Sequence, residues 1–163
     1  MEQLEQAKQE ALRYVAVRMR TRQEVVQQLC KKGYGTDVAD AVIGFLEEYH
    51  YLDDEAYCRS WIHDRIAFHP CGRQKMAFEL AKKIADQQLI SQCLEQYFTR
   101  EAELELAQAA AVKKLQSGRQ TVTAEQLSRF LYSRGYSGSI IRAVLQQEAI
   151  QEMIDQRQCN NNF

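Results

Sequence analysis

Histidine and cysteine side chains near the middle of the chain are the first candidates for chemistry, because both residue types bind zinc. His50, His63, His69 and Cys71 lie close together in sequence. His63 and His69 are not spaced to share one face of a helix, and no second cysteine or carboxylate follows at a suitable interval. The sequence therefore predicts no metal site.

Carboxylates and cysteines are the next candidates, as acids, bases or nucleophiles. Asp53 with the adjacent acids Asp54 and Glu55 is explained by helix capping and by the positive end of a helix dipole. Cys58 and Cys93 occupy positions where related segments carry Ala109, Val42 and Val144, which is typical of core residues. The sequence contains no phosphate-binding loop, dinucleotide fingerprint, nucleophile elbow or H-E-x-x-H motif. We predict a protein that is not an enzyme and needs no cofactor.

Basic residues remain, and they are unevenly distributed. Residues 13–35 carry +5, residues 36–56 carry −7, residues 57–85 carry +4, residues 86–105 carry −4 and residues 106–142 carry +5, within a net charge of −1. Ordinary solvated helix faces explain any single lysine or arginine. The alternation over the chain instead favours an elongated, acidic partner such as nucleic acid or a filament formed on it.

An internal repeat underlies this alternation. Thr21, Gly72 and Thr123 can be aligned without gaps, and Leu29, Leu80 and Leu131 then coincide, each 51 positions after the last. The columns Val25, Met76 and Leu127, and Val42, Cys93 and Val144, also coincide. The phrases Gly33-Tyr34 and Gly135-Tyr136 share one register. A run of matching columns indicates a repeated structural unit.

Each repeat predicts helices. Thr21 with Glu24, and Thr123 with Gln126, form the S/T-x-x-E/Q pattern of a capping box. Glycine after the helix supplies the left-handed conformation of a C-cap, and the following tyrosine can pack back on the last turn. A second helix follows each phrase and a further helix precedes each capping residue. With one proline, seven glycines and few strand-forming runs, the chain is predicted to be all-α, with about nine helices in three tandem three-helix modules. We expect the modules at 1–51, 52–100 and 101–157, and a frayed tail at 158–163.

The composition of the chain also predicts a cellular location. The chain has no run long enough to span a membrane, no signal-peptide pattern and an odd number of cysteines, five, without CxxC spacing. We expect a cytoplasmic monomer with no membrane contact.

Three segments resemble the RecX family. They are Tyr51-Leu52-Asp53-Asp54-Glu55-Ala56-Tyr57, then Gly72 to Leu80, and Arg129 to Tyr136. The opening repeat, from Arg22 to Tyr34, is similar to the family's first repeat, so that the resemblance covers about residues 10–150. Two positions depart from it: His50 replaces a usual glycine, and Ile84 follows Lys83 where glycine is common.

The resemblance implies a curved, elongated molecule of three three-helix repeats that regulates the recombinase RecA. It implies binding along the groove of the RecA filament on single-stranded DNA, with inhibition of filament extension, ATP hydrolysis and strand exchange. Recombination and the SOS response would thereby be restrained.

Charge and resemblance together lead to a hypothesis for the contact surface. One basic edge is predicted to meet acidic filament surface or DNA phosphates, because the columns Arg22/Arg73 and Lys32/Lys83/Arg134 recur in register. The edge comprises Arg22, Lys31, Lys32, Arg73, Lys75, Lys82, Lys83, Arg129 and Arg134. Reversal of Lys82 and Lys83 to glutamate is expected to weaken filament binding with little loss of folding.

Two other functions fit part of the sequence. A DNA-binding protein acting alone would use its three-helix units like helix-turn-helix modules, although the net charge is negative and the basic columns fall near helix ends. A scaffold would present an apolar groove to a peptide, although the apolar positions are already assigned to module cores.

Overall fold

A computed structural model describes residues 1–118 and 120–160. Within these residues the protein is entirely α-helical and contains no strand, as predicted. The described part of the chain forms ten helices: α1 Glu2–Val17, α2 Arg22–Lys31, α3 Thr36–Glu48, α4 Asp54–Phe68, α5 Arg73–Ala81, α6 Gln87–Tyr97, α7 Arg100–Gln116, α8 Ala124–Ser133, α9 Gly138–Leu145 and α10 Glu148–Asn160. None of the helices in the described residues is long and apolar enough to cross a membrane.

The predicted capping signals are present at the start of the helices. Thr21 caps α2 and Thr123 caps α8, and in both cases the side chain three residues later accepts the backbone N–H of the cap, which completes a capping box. Asp53 caps α4, since its carboxylate accepts the N–H of Ala56 at 3.0 Å. Each cap satisfies backbone donors that a helix N-terminus leaves without an intrahelical partner.

The Gly-Tyr phrases end helices in the predicted way. Gly33 and Gly135 have φ angles of +90° and +85°, in the left-handed region that favours glycine. The N–H groups of Tyr34 and Tyr136 then reach back to the carbonyls of Leu29 and Leu131, at 3.1 and 3.3 Å. These hydrogen bonds close the last turn of each helix.

The middle repeat lacks the glycine and ends its helix differently. Ile84 is 1% exposed, and its N–H reaches the Leu80 carbonyl at 2.9 Å. An apolar side chain buried after the last turn takes the place of the left-handed cap.

The chain divides into two compact units. Unit 1 comprises residues 1–61 and 79–93, and unit 2 comprises residues 62–78 and the chain from Leu94 onward. The division falls within α4, α5 and α6. The three-module boundaries at 1–51, 52–100 and 101–157 therefore stay a prediction.

Each unit has its own buried cluster. In unit 1, α1, α2 and α3 pack through buried side chains that include Ala7, Ala11, Val25, Leu29 and Leu46. In unit 2, α7, α8, α9 and α10 pack through Ala107, Ala111, Leu127, Leu131 and Ile150, among others. Alanines on α1 and α7 allow the neighbouring helices to approach closely.

The C-terminal helix was missed in the sequence. Ile150 and Ile154 of α10 are 0% and 6% exposed, and Met153 packs beside them. Their i, i+3, i+4 spacing is the signal that could have indicated a helix. Residues 158–160 of the expected frayed tail continue α10, and residues 161–163 lie outside the described residues.

Candidate functional site

One predicted cation, Lys83, lies in a polar cluster that we call the first junction, formed by Arg18, Thr21, Glu24 and Lys83 of unit 1. The Thr21 hydroxyl donates to the Lys83 carbonyl at 2.7 Å, which joins the N-terminus of α2 to the turn after α5. The Lys83 ammonium and the Arg18 guanidinium donate to the same Glu24 oxygen, Oε1, at 3.3 and 2.9 Å. The lysine is therefore neutralised within the fold.

Glu24 is built to stay ionised. It is 7% exposed, and its other oxygen, Oε2, accepts the Thr21 N–H at 3.0 Å. Burial alone would raise the pKa of the carboxyl. Hydrogen bonds from Thr21, Arg18 and Lys83 outweigh burial, so the pKa lies below its ordinary value of 4.5.

This pairing changes one expectation from the sequence. Reversal of Lys83 to glutamate would place a second carboxylate against Glu24, which is buried and ionised. We now expect that reversal to destabilise the fold as well, because two close carboxylates repel and one of them has little solvent. The pair with Glu24 therefore argues against the expectation of little loss of folding at Lys83.

Four more cations of the predicted edge also have carboxylate partners. Their ion pairs are Arg22–Glu47 at 3.1 Å, Lys32–Glu10 at 3.4 Å, Arg73–Glu103 at 3.7 Å and Arg129–Glu125. Lys82 has an interaction partner as well. Among the described residues, Lys31, Lys75 and Arg134 form no ion pair. The edge as a whole stays a prediction.

We define the second junction as Gly72, Lys75, Arg134 and Gly135 of unit 2. Its first three residues occupy the columns of Thr21, Glu24 and Lys83 in the repeat. Here the N–H groups of Gly72 and Gln74 donate to the carbonyls of Arg134 and Gly135, at 2.8 and 3.2 Å. A Cβ at Gly72 would overlap the backbone of Gly135, and a Cβ at Gly135 would lie 2.7 Å from the backbone nitrogen of Lys75. Only glycine allows the two backbones to cross this closely.

One exchange of residue type separates the two junctions. The column 51 positions after Glu24 holds Lys75, and the column 51 positions after Lys83 holds Arg134. The first junction therefore pairs an acid with a base, whereas the second places two bases in the lining of one cleft. Without an acid at this column, the charge of the second junction is left for another partner.

The second junction lies at an open cleft of about 690 Å³ in unit 2, which we call the basic cleft. Among the residues that the structure describes, its lining contains five lysines and arginines and no carboxylate. The lining residues are Arg65, Phe68, His69, Pro70, Cys71, Lys75, Leu106, Ala109, Ala110, Lys113, Lys114, Ser117, Phe130 and Arg134. In a chain of net charge −1, this concentration of one sign marks a site for an anion.

Phe130 of α8 forms an aromatic surface within these charges. The Lys114 ammonium lies 5.3 Å from the centre of its ring and the Arg134 guanidinium 5.2 Å from it. These are cation–π distances. Phe68 adds a second ring at the cleft, and its side chain is 73% exposed.

A second cavity of about 550 Å³ adjoins the basic cleft. The two share Lys114, Ser117 and Phe130, and the second cavity adds Arg129 and polar groups of Gln120 and Gln126. An extended ligand could therefore pass from one cavity to the other along Phe130.

The structure brings together only some of the residues predicted from sequence. Lys75 and Arg134 line the basic cleft, and Arg129 lines the adjoining cavity. Sequence reasoning missed Arg65, Lys113, Lys114 and Phe130. The available signal was Lys113-Lys114 in the last turn of α7, within a segment of charge +5.

Of the residues set aside in the sequence, His69 and Cys71 line the basic cleft, and the others named here lie elsewhere. Cys58 and Cys93 are buried, and burial beside Cys93 raises the pKa of the Cys58 thiol to about 12, so it is not a nucleophile. His63 stacks near Tyr97, with ring centres 6.2 Å apart. In residues 1–118 and 120–160, no group of three His, Cys, Asp or Glu side chains is placed to hold a metal ion.

The family models that match this chain also describe three-helix domains. Residues 7–46 match the family model for the first three-helix domain of RecX, and residues 53–94 match that for the second. The chain is 35% identical over 155 residues to the regulatory protein RecX of Mycolicibacterium smegmatis, covering 91% of this chain and 82% of that protein. It is 32% identical to that of Pelodictyon phaeoclathratiforme, covering 91% and 92%.

Two solved structures share the fold. The crystal structure of RecX from Lactobacillus salivarius gives a TM-score of 0.80 at 21% identity, over 95% of this chain and 98% of that one. A crystal structure of regulatory protein RecX gives 0.78 at 24%, over 89% and 72%. The curated relatives that match are named regulatory proteins. On the evidence of sequence and of two matched domains, this chain belongs to the RecX family.

Proposed function

We propose that this protein is a negative regulator of the RecA recombinase. It binds the RecA filament on single-stranded DNA and inhibits filament extension, ATP hydrolysis and strand exchange. By this action it restrains recombination and the SOS response in the cytoplasm. Membership of the RecX family is the observation that carries the proposal.

The distribution of charge supports the proposal. The DNA in a recombinase filament is a long polyanion. A regulator that contacts it needs lysines and arginines that are not already paired with its own carboxylates. Lys31, Lys75 and Arg134 meet that condition within the described residues, and Lys113 and Lys114 add to it. The paired members, such as Lys83 with Glu24, are expected to serve the fold first.

The experiment is the ATP hydrolysis rate of the host's RecA on single-stranded DNA, with this protein titrated in. A block at the growing end of a filament affects many subunits, so inhibition should be half-maximal far below one copy per RecA monomer. Inhibition that needs equimolar protein would contradict action on filament growth, and no inhibition at saturation would overturn the proposal.

A matched pair of variants controls the titration. Lys31→Glu reverses an exposed cation of the predicted edge, and Arg142→Glu reverses an exposed cation on α9 that belongs neither to that edge nor to the lining of either cavity. Lys31→Glu should shift the titration to higher concentration, and Arg142→Glu should not. Equal shifts would show that overall charge, and not the edge, sets the inhibition.

A further inference from the structure

The basic cleft has the chemistry of a site for unpaired nucleic acid. Lys75, Lys113 and Arg134 are free of carboxylate partners among the described residues, and Arg65 and Lys114 add two more positive charges. Five lysines and arginines around one concave surface, whose described lining holds no carboxylate, attract a ligand that carries several negative charges. Phosphates of a nucleic-acid backbone are such a ligand.

Two aromatic rings distinguish this cleft from a site for simple anions. Phe68 is largely exposed, and Phe130 is half-buried between the two cavities. Unpaired bases stack on aromatic side chains whatever their sequence, whereas bases inside a duplex are covered by their neighbours. A single inorganic phosphate would stack on neither ring.

The dimensions agree with an extended chain. The cleft of about 690 Å³ continues into the cavity of about 550 Å³ past Phe130, Lys114 and Ser117. Cations line both: Lys75 and Arg134 line the cleft, and Arg129 lines the adjoining cavity. Arg129 is paired with Glu125, but both side chains are exposed, so that a phosphate can compete for it at small cost.

We propose that the basic cleft of unit 2 binds single-stranded nucleic acid directly, with phosphates on Lys75, Lys113 and Arg134 and a base stacked on Phe130. The site acts on the free strand without the recombinase. The inference deepens the proposed function by giving this chain its own contact with the DNA of the filament. It can hold or fail independently of any effect on RecA.

Fluorescence anisotropy of a labelled short oligothymidylate, titrated with the full chain in the absence of RecA, tests the site. Lys75→Glu should weaken binding on the order of tenfold or more, because it removes one charge-assisted contact and gives Arg134 a carboxylate. Phe130→Leu, which keeps an apolar side chain but removes the ring, should weaken binding roughly tenfold. Arg142→Glu, the matched charge reversal in unit 2, should bind as the unchanged protein does.

Salt dependence identifies the phosphate contacts. For single strands the logarithm of the binding constant falls with the logarithm of salt by about 0.7 per phosphate neutralised. Lys75→Glu should reduce that slope by about 0.7 or more, whereas Phe130→Leu should leave it unchanged. Circular dichroism and a thermal melt of each variant establish that it is folded, and Lys113→Glu on the exposed face of α7 gives a second reversal if Lys75→Glu is not.

Several outcomes overturn the inference. They are no binding of the oligonucleotide by the unchanged protein, equal loss in Arg142→Glu and Lys75→Glu, unchanged affinity in both Lys75→Glu and Phe130→Leu, and equally tight binding of a blunt duplex or of polyglutamate. The ATP hydrolysis assay is separate. Inhibition of RecA by a protein that does not bind the free strand would overturn this inference and leave the proposed function standing.

Discussion

The first and second junctions are built on the same columns of one repeat, and they differ in what happens to their charge. In the first, Glu24 accepts from both Arg18 and Lys83, and Thr21 fixes the Lys83 carbonyl. In the second, backbone N–H groups fix the Arg134 carbonyl, and Lys75 stands at the column of Glu24. The first junction stabilises the fold, whereas the second presents its charge at a cleft.

The comparison shows that recurrence of a basic column does not establish a shared role. Lys32, Lys83 and Arg134 align, yet the structure places them beside Glu10, Glu24 and the Phe130 ring. The residue opposite decides whether a cation is structural or available to a ligand. Predictions that exchange or remove that opposite residue therefore test the account.

The largest effect is expected when the first junction is given the charge of the second. Glu24→Lys should lower the free energy of unfolding by about 3 kcal/mol, because it leaves Arg18 and Lys83 beside a third cation in a buried position. Denaturation in urea measures the loss. Lys83→Glu in the same chain should restore part of it, and no rescue would show that the pair is not the cause.

The next largest effect concerns the backbone crossing of the second junction. Gly72→Ala should cost about 2 kcal/mol, because its Cβ overlaps the backbone of Gly135 and forces the two segments apart. Gly44→Ala is the matched control: it lies inside α3 with nothing within 4 Å, and it should stabilise by about 0.5–1 kcal/mol. Equal effects of the two substitutions would contradict the close crossing.

The pH dependence of stability reports the ionised state of Glu24. Because hydrogen bonds hold its pKa below 4.5 in the fold, its contribution is present above that pH and is lost as pH falls through the folded value. Glu24→Gln should cost about 1–2 kcal/mol at neutral pH. The gap between the variant and the unchanged protein should narrow below pH 4.5; a gap that is constant from neutral to acid would exclude the ion pairs as its source.

The smallest predicted effect is a gain, outside both junctions. His50 has a φ angle of +59°, in the left-handed region that favours glycine. His50→Gly should stabilise by about 0.5–1 kcal/mol, because a β-carbon is strained in that conformation. Gly33→Ala, at φ +90°, should have the opposite sign, and neither change should alter binding at the basic cleft.

Local signals predicted most of the fold. Thr21 with Glu24, Asp53 and the Gly-Tyr phrases each act within a few residues, so their capping roles were readable from the chain. The α10 helix was missed although Ile150, Met153 and Ile154 carry a helical period.

The candidate site was less readable, since ion pairs and clefts depend on contacts between distant segments. Glu24 contacts Lys83, which is 59 positions away in the sequence, and no local sequence pattern predicts that contact. Lys113 and Phe130 share a cleft with Lys75 only because α5, α7 and α8 converge there. The repeat places Lys75 at the column where the first repeat has Glu24. The consequence of that exchange became clear only when the structure showed Glu24 paired with Lys83.

The most direct test of this account is one substitution measured twice. Lys75→Glu restores an acid to the column of Glu24, and the same sample should be measured for stability in urea and for affinity to oligothymidylate. We predict that the free energy of unfolding rises by about 0.5–1 kcal/mol, as repulsion from Arg134 becomes an ion pair, while affinity falls at least about tenfold. A variant that is less stable and binds the strand as tightly as before would contradict the claim that the second junction keeps its charge for a ligand.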